Sequence, residues 1–264
     1  MVLTYLIVGI SIVLVFIAVF RVYLTRKRLG LTLTTYCINL PDLVERRDHI
    51  LSKFDPFKLD IQFVDAVDTR DDKWRAYKKY LTDDGMRQLE NTVKQGKREK
   101  HSDLTPGAVG CFLSHVKCWK KFMDTNPGHS DILLILEDDS YPDTKLFASE
   151  MRLLFKNFPR DTDVILLSYI TNSAHTEHKF HDFTLFKLNQ EGYFFLMDAY
   201  LITKRGIEKI FKQLEARNWR IDVQIDSYLS QLISQKKLNI YYPVRPICYQ
   251  DIGLFYTTIQ TIPV

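Results

Sequence analysis

Three consecutive carboxylates, Glu137, Asp138 and Asp139, follow directly on the apolar run ILLIL. With Asp131 in front, that run has the length and composition of a strand buried on both faces of a parallel sheet. Carboxylates delivered to such a place must be paired or must coordinate a cation, because an isolated buried charge is costly. Alternate residues of an extended segment face the same way, so Glu137 and Asp139 can point together at one hard cation. Magnesium or manganese, which bind carboxylates and phosphate oxygens, are the matching ions. Their chemistry there would be to neutralise charge on a leaving diphosphate. The competing reading is local: Asp139 or Ser140 capping the helix that follows.

The surrounding sequence must position that turn. Leu31–Leu40 reads as a first strand ended by Pro41, and Leu43–Phe54 as a charged helix with Leu43, His49/Ile50 and Phe54 on one side. Ile61–Val67 reads as a second strand. Thr105 is placed to cap a helix that starts at Pro106, and Val109, Phe112, Leu113 and Val116 repeat at helical spacing after it. A helix over Leu146–Phe158 and a buried strand over Asp163–Ser168 come next. Residues 171–183, rich in histidine, read as a loop. The spacing then predicts strands over Phe183–Leu188 and Tyr193–Met197, a helix from Lys204, a helix over Val223–Ser234 and a last strand over Leu238–Tyr242. Strands alternating with helices predict an α/β fold around a mostly parallel, doubly covered sheet that binds ligands at the carboxyl ends of its strands.

The composition is globular, with 46% hydrophobic and 26% charged residues, and a net charge of +4 is too small to suggest nucleic acid as a partner. The first twenty residues carry no charge. About 20 apolar residues span a bilayer as a helix, so residues 1–22 are expected to be a transmembrane anchor. A cleaved signal peptide is the alternative; it expects a basic start and a small-residue cleavage site. Arg21, Arg26, Lys27 and Arg28 lie at the end of the apolar run and in the juxtamembrane linker 23–32. By the positive-inside rule the domain 33–264 faces the cytoplasm, with the lumenal side as the alternative. The four cysteines, Cys37, Cys111, Cys118 and Cys248, show neither a disulfide framework nor zinc-ligand spacing and read as buried apolar groups.

Four blocks of the chain resemble glycosyltransferase family 25, which includes bacterial lipooligosaccharide galactosyltransferases and collagen galactosyltransferase domains. They are YCINLPDLVERR at 36–47, FVDAVD at 63–68, LTPGAVGCFLSHVKCW at 104–119 and LILEDD at 134–139. Weaker echoes are AYLITKRGI at 199–207 and IDVQIDSYL at 221–229. Two positions depart from the pattern: Ala108 stands where an acidic residue is expected, and Ser140 where an apolar one is.

The resemblance implies a GT-A type fold, a UDP-sugar donor with Mn2+ or Mg2+, and inversion at the anomeric carbon. The expected activity is transfer of galactose or glucose to a hydroxyl of a glycan, glycolipid or glycoprotein acceptor, lipopolysaccharide biosynthesis among the settings. The alternative is a catalytically inactive, membrane-tethered protein that binds carbohydrate or nucleotide. Glu137 and Asp139 are the expected metal residues, with Asp138 close by. Asn39, Arg47, Asp65, Asp68, Ser114 and His115 are the expected donor contacts; Arg47 offers a fork of N–H donors to a phosphate. The base that takes the acceptor proton is expected to be Asp222 or Asp226, four residues apart near the start of a helix, with Asp198 a further candidate. His175, His178 and His181 sit in polar surroundings and are not expected to hold a metal.

Overall fold

The computed structural model describes residues 33–100, 102–125 and 131–253. The expected anchor and linker, residues 1–32, lie outside them. Among the described residues no helix is long and apolar enough to cross a membrane.

Three parallel strands form one side of the central sheet: β1 (Leu33–Asn39), β2 (Ile61–Asp65) and β3 (Ile132–Glu137). Helix α1 (Val44–Phe54) connects the first two. Between β2 and β3 lie a 3-10 segment over Asp71–Tyr80, α2 (Asp83–Gln95) and α3 (Pro106–Thr125). Thr105 caps α3 as its sequence suggests, its Oγ1 accepting from the Ala108 amide at 3.0 Å. The chain goes on through β4 (Ser140–Pro142), α4 (Phe147–Lys156), β5 (Val164–Leu166), β6 (Ile170–Thr171), β7 (His175–Phe180), β8 (Phe183–Leu188) and β9 (Phe194–Phe195). The described residues close with β10 (Ala199–Thr203), α5 (Lys204–Glu215), α6 (Ile225–Ser234), β11 (Ile240–Pro243) and β12 (Cys248–Gln250).

The strand order of the large sheet is β2-β1-β3-β10-β5-β11-β8-β7. Only β10 and β8 run against the other strands, so the sheet is mostly parallel. Strand β3 explains why its sequence is apolar throughout. Ile132, Leu134 and Leu136 face a core shared with Ile50 and Phe54 of α1 and Phe147 and Leu154 of α4. Leu133 and Ile135 face the opposite core, with Phe112 and Trp119 of α3, Ile207 of α5 and Leu229 of α6. Each fully buried side chain of this size contributes about 1.5–3 kcal/mol before the cost of ordering the chain.

One expectation changes. The histidine-rich segment is not a loop: His175–Phe180 forms β7, a hairpin partner of β8. His175 stacks on Phe186 with ring centroids 4.0 Å apart and meets the Tyr242 hydroxyl through Nδ1, so an aromatic neighbourhood orders it. The sheet is mostly parallel, as expected, with two reversed strands. Strand β10 enters antiparallel between β3 and β5, which brings its first residues beside the last residues of β3.

Candidate functional site

Because β1, β2 and β3 are parallel and in register, Asn39 lies opposite Asp65, and Ile38 opposite Glu137, at one edge of the sheet. A cleft of about 570 Å³ opens there. Its floor includes Asn39, Glu137, Asp138 and Asp139; its walls include Arg46 of α1, Asp68 and Arg70 after β2, and Gly110, Cys111, Ser114 and His115 of α3. The wall of α3 can come this close because residue 110 is glycine: a Cβ there would lie 2.4 Å from Thr69 Oγ1 and 2.7 Å from the Val67 carbonyl. Ser114 ties the same contact, accepting from the Val67 amide at 2.8 Å and donating to the Gly110 carbonyl at 2.6 Å.

The three carboxylates of the turn have different partners. Asp138 is neutralised in place: Arg46 Nη1 reaches it at 2.7 Å and Asn39 Nδ2 at 2.8 Å. Glu137 accepts from His115 Nε2 at 3.1 Å and from the Cys111 thiol at 3.6 Å. Asp139 Oδ2 accepts from Gln250 Nε2 at 3.1 Å, while its buried Oδ1 has no partner among the described residues. A fourth carboxylate, Asp198, lies beneath the turn just before β10; its carbonyl accepts from the Glu137 amide at 2.7 Å and from Ser140 Oγ at 2.6 Å.

Among the described residues, Arg46 pairs its guanidinium with this group, at 2.7 Å from Asp138 and farther from Asp139, at 3.7 Å. The other acids are therefore driven toward their neutral forms. Burial, then the charge of Asp138, pushes Glu137 up to about 7. Burial, then the charge of Glu137, pushes Asp139 up to about 7. Burial, then Glu137, does the same to Asp198. An added cation would relieve this repulsion. The unpartnered Asp139 Oδ1, together with Glu137 on the same cleft floor, fits a hard divalent ion that takes carboxylate oxygens.

His115 is fully buried, and burial lowers it to about 3, so it is neutral. Its Nδ1 lies 2.8 Å from the Tyr200 hydroxyl, whose oxygen accepts from Trp119 Nε1 at 3.0 Å. One assignment satisfies every group: Trp119 donates to Tyr200, Tyr200 donates to His115 Nδ1, and His115 Nε2–H donates to Glu137. This chain of hydrogen bonds fixes the Glu137 carboxylate from inside the core.

The other expected residues divide. Asp68 lines the cleft, but Arg70 at 2.9 Å and Lys73 hold it, and the Arg70 hydrogen bonds keep it far below the usual carboxylate range. Asp65 is exposed, and its carbonyl accepts from Lys117. Arg47 does not line the cleft; it is exposed, with its guanidinium 4.2 Å from the Phe63 ring centre. Consecutive helix residues are about 100° apart, so only one of Arg46 and Arg47 can face the turn, and it is Arg46. Asp222 is ion-paired with Arg217 and lies outside the cleft lining. Asp226, at the start of α6, is buried and also lies outside the cleft lining, though its charge reaches both Glu137 and Cys111.

Several contributors were not singled out from the sequence as site residues. Arg46 could have been found, since it lies four residues before Ile50 and eight before Phe54 on the buried stripe of α1. Tyr200 and Gln250 had no local signal, because each arrives through a strand pairing of long range. Cys111 was read as a buried apolar group, yet of the four cysteines it alone is not fully buried.

Comparisons with known proteins cover the residues that form the cleft. A family model described as "Glycosyltransferase family 25 (LPS biosynthesis protein)" matches residues 32–229. A "Glycosyltransferase 25 family member" of Aedes aegypti is 35% identical over 106 residues, which is 39% of this chain and 16% of that protein. "Procollagen galactosyltransferase 2" of Homo sapiens is 31% identical over 106 residues, 39% of this chain and 15% of that protein. The matched stretch is thus a small part of each of these relatives. Among solved structures, a 4-diphosphocytidyl-2C-methyl-D-erythritol synthase from Anaerococcus prevotii covers 88% of this chain and 94% of its own at 11% identity, with a TM-score of 0.43. That overlap carries no conclusion about the site. The family model spans most of the length and includes every block that forms the cleft, and the chain belongs to glycosyltransferase family 25.

Proposed function

We propose that this chain is an inverting, metal-dependent hexosyltransferase on a GT-A type fold, moving galactose or glucose from a UDP-sugar to a hydroxyl of a glycan, lipid-linked or protein acceptor. The observation that carries this reading is the cleft floor, where Glu137 and Asp139 share an excess of negative charge and Asp139 Oδ1 has no partner among the described residues. Galactose is the first donor sugar to test because a similar protein is named as a procollagen galactosyltransferase. Anchoring of the domain by residues 1–22, with the cleft on the cytoplasmic side, belongs to the same proposal.

Glu137 and Asp139 would hold the ion, and manganese or magnesium bound there would offset charge on the departing nucleotide diphosphate. The chain's own groups do the rest. Asp138 keeps Arg46 and Asn39 in place, so the turn is rigid before substrate arrives. His115, ordered by Tyr200, keeps Glu137 aimed into the cleft. Arg70 and Lys73 at the rim are paired with Asp68, and Arg70 with Asp42 as well, so they offer N–H donors to an entering nucleotide rather than net positive charge. In the transfer itself the acceptor oxygen attacks the anomeric carbon from the face opposite the diphosphate. The bond from that carbon to the diphosphate oxygen breaks, and the acceptor's proton passes to a carboxylate. Asp226 is the proposed base, since it is buried close enough for its charge to act on Glu137.

A panel of UDP-sugars, with manganese present and release of UDP as the readout, tests the proposal. Turnover with UDP-galactose or UDP-glucose, abolished by chelation, is the expected result. Binding of UDP without turnover of any donor would turn the reading toward a non-catalytic binding protein.

A further inference from the structure

We propose that Cys111, His115 and Glu137 form a site for a thiophilic divalent ion, zinc foremost, and that filling it withdraws Glu137 from the manganese position. Cys111 and His115 are four residues apart on α3, so both project from the same face of the helix. The end of β3 brings Glu137 up to them. Glu137 Oε1 lies 3.6 Å from Cys111 Sγ and 3.1 Å from His115 Nε2, and the three ligand atoms all fall within 4.8 Å of one another. Bonds of about 2.0–2.3 Å in a tetrahedral zinc site separate neighbouring ligand atoms by roughly 3.3–3.8 Å. The observed cluster therefore needs adjustments of about 1 Å or less.

The chemistry of the set is distinct from that of the acidic turn. Thiolate, imidazole and carboxylate together are zinc ligands, whereas manganese binds a thiolate weakly. On binding, Cys111 gives up its thiol proton to solvent. Glu137 supplies a carboxylate lone pair. His115 stays neutral, but its ring proton moves from Nε2 to Nδ1, where it donates to the Tyr200 oxygen in place of the bond Tyr200 donated to that nitrogen. Two anionic ligands balance the ion's charge, which suits a recess this deep. The fourth position would open to the cleft, since all three residues line it. The antagonism, though not the site, rests on the reading of Glu137 as a manganese ligand.

Cobalt(II) added to the full chain is the probe for the site. A thiolate-to-cobalt charge-transfer band in the near ultraviolet, with the intense visible bands of four-coordinate cobalt, is expected; zinc should bleach both. In Cys111→Ser the charge-transfer band should vanish. A second readout uses the native thiols: zinc should slow alkylation of Cys111, the one cysteine of four that is not fully buried. A cobalt spectrum without the thiolate band, or one unchanged in the variant, overturns the site. For the antagonism, zinc should suppress manganese-supported transfer, and Cys111→Ser should need about tenfold more zinc for the same suppression relative to its own rate. Equal suppression of both proteins overturns the antagonism. If the chain transfers no sugar at all, the antagonism falls with the proposed function, while the cobalt and thiol readouts still decide the site.

Discussion

Replacing Asp139 by asparagine is expected to lower sugar transfer by about 10²–10⁴-fold while leaving the metal-free fold at least as stable as before. The two halves of that expectation have one cause. Asp139 is buried beside Glu137 and Asp138, and its proton affinity is raised by that burial first and by the charges of those two neighbours next. An amide of nearly the same shape removes a buried charge, and its oxygen can still accept from Gln250 at the 3.1 Å position. In the absence of metal the change should therefore be neutral or stabilising. With metal and donor present, the lost carboxylate removes several kcal/mol of stabilisation of the leaving diphosphate. Initial rates and urea midpoints on the same preparations test both halves. Full transfer activity in the variant would remove Asp139 from the site. A large loss of stability would mean that the charge is structural.

The second large effect concerns pH in the absence of metal. Glu137, Asp139 and Asp198 each bind a proton more tightly folded, at about 7, than at their ordinary values of 4.5, 3.8 and 3.8. A raised carboxylate contributes stability that is present below its unfolded value and is lost as pH rises through the folded value. These three groups should thus cost stability as pH rises from about 4 to about 7. His115 works in the opposite sense. Its value is lowered from 6.5 to about 3, so its contribution is lost as pH falls across that range. Three carboxylates oppose two imidazoles, His115 and His49, whose value burial also lowers, and the charge of Glu137 further raises Asp139. At least one net proton should remain, worth about 1.4 kcal/mol per pH unit. With a chelator present, stability is therefore expected to fall by about 2–4 kcal/mol between pH 4.5 and pH 7.5. Manganese should restore it far more at pH 7.5 than at pH 5, because at pH 5 protons occupy the carboxylates and compete with the ion. Urea unfolding at these pH values, with and without manganese, is the measurement. A midpoint that climbs steadily with pH in the chelated protein would contradict the electrostatics of the site.

Much of the fold could be read from the sequence where the signal is local and strong. The run at 132–136 had to be a doubly buried strand, and its end had to deliver carboxylates to a sheet edge. Thr105 with Pro106 marked the start of α3, and the alternation of elements pointed to a mostly parallel sheet. Pairing between distant segments left no such trace. Strand β12 pairs with β4 across more than one hundred residues, which is how Gln250 comes to lie against Asp139. Strand β10 pairs antiparallel with β3, which is how Tyr200 and Asp198 come to support Glu137. Register and direction of such pairings depend on the whole core, whereas periodicity reports only which face of an element is apolar. The choice between Arg46 and Arg47 was a different kind of miss: the stripe through Ile50 and Phe54 already favoured Arg46.

The acidic turn as a cation site that supports a leaving nucleotide is most directly tested by locating manganese in crystals of the chain soaked with manganese and UDP. Anomalous scattering should place the ion against the Glu137 and Asp139 carboxylates with a diphosphate oxygen beside it. Manganese bound elsewhere, or UDP bound in the cleft with no ion at the turn, would contradict the account.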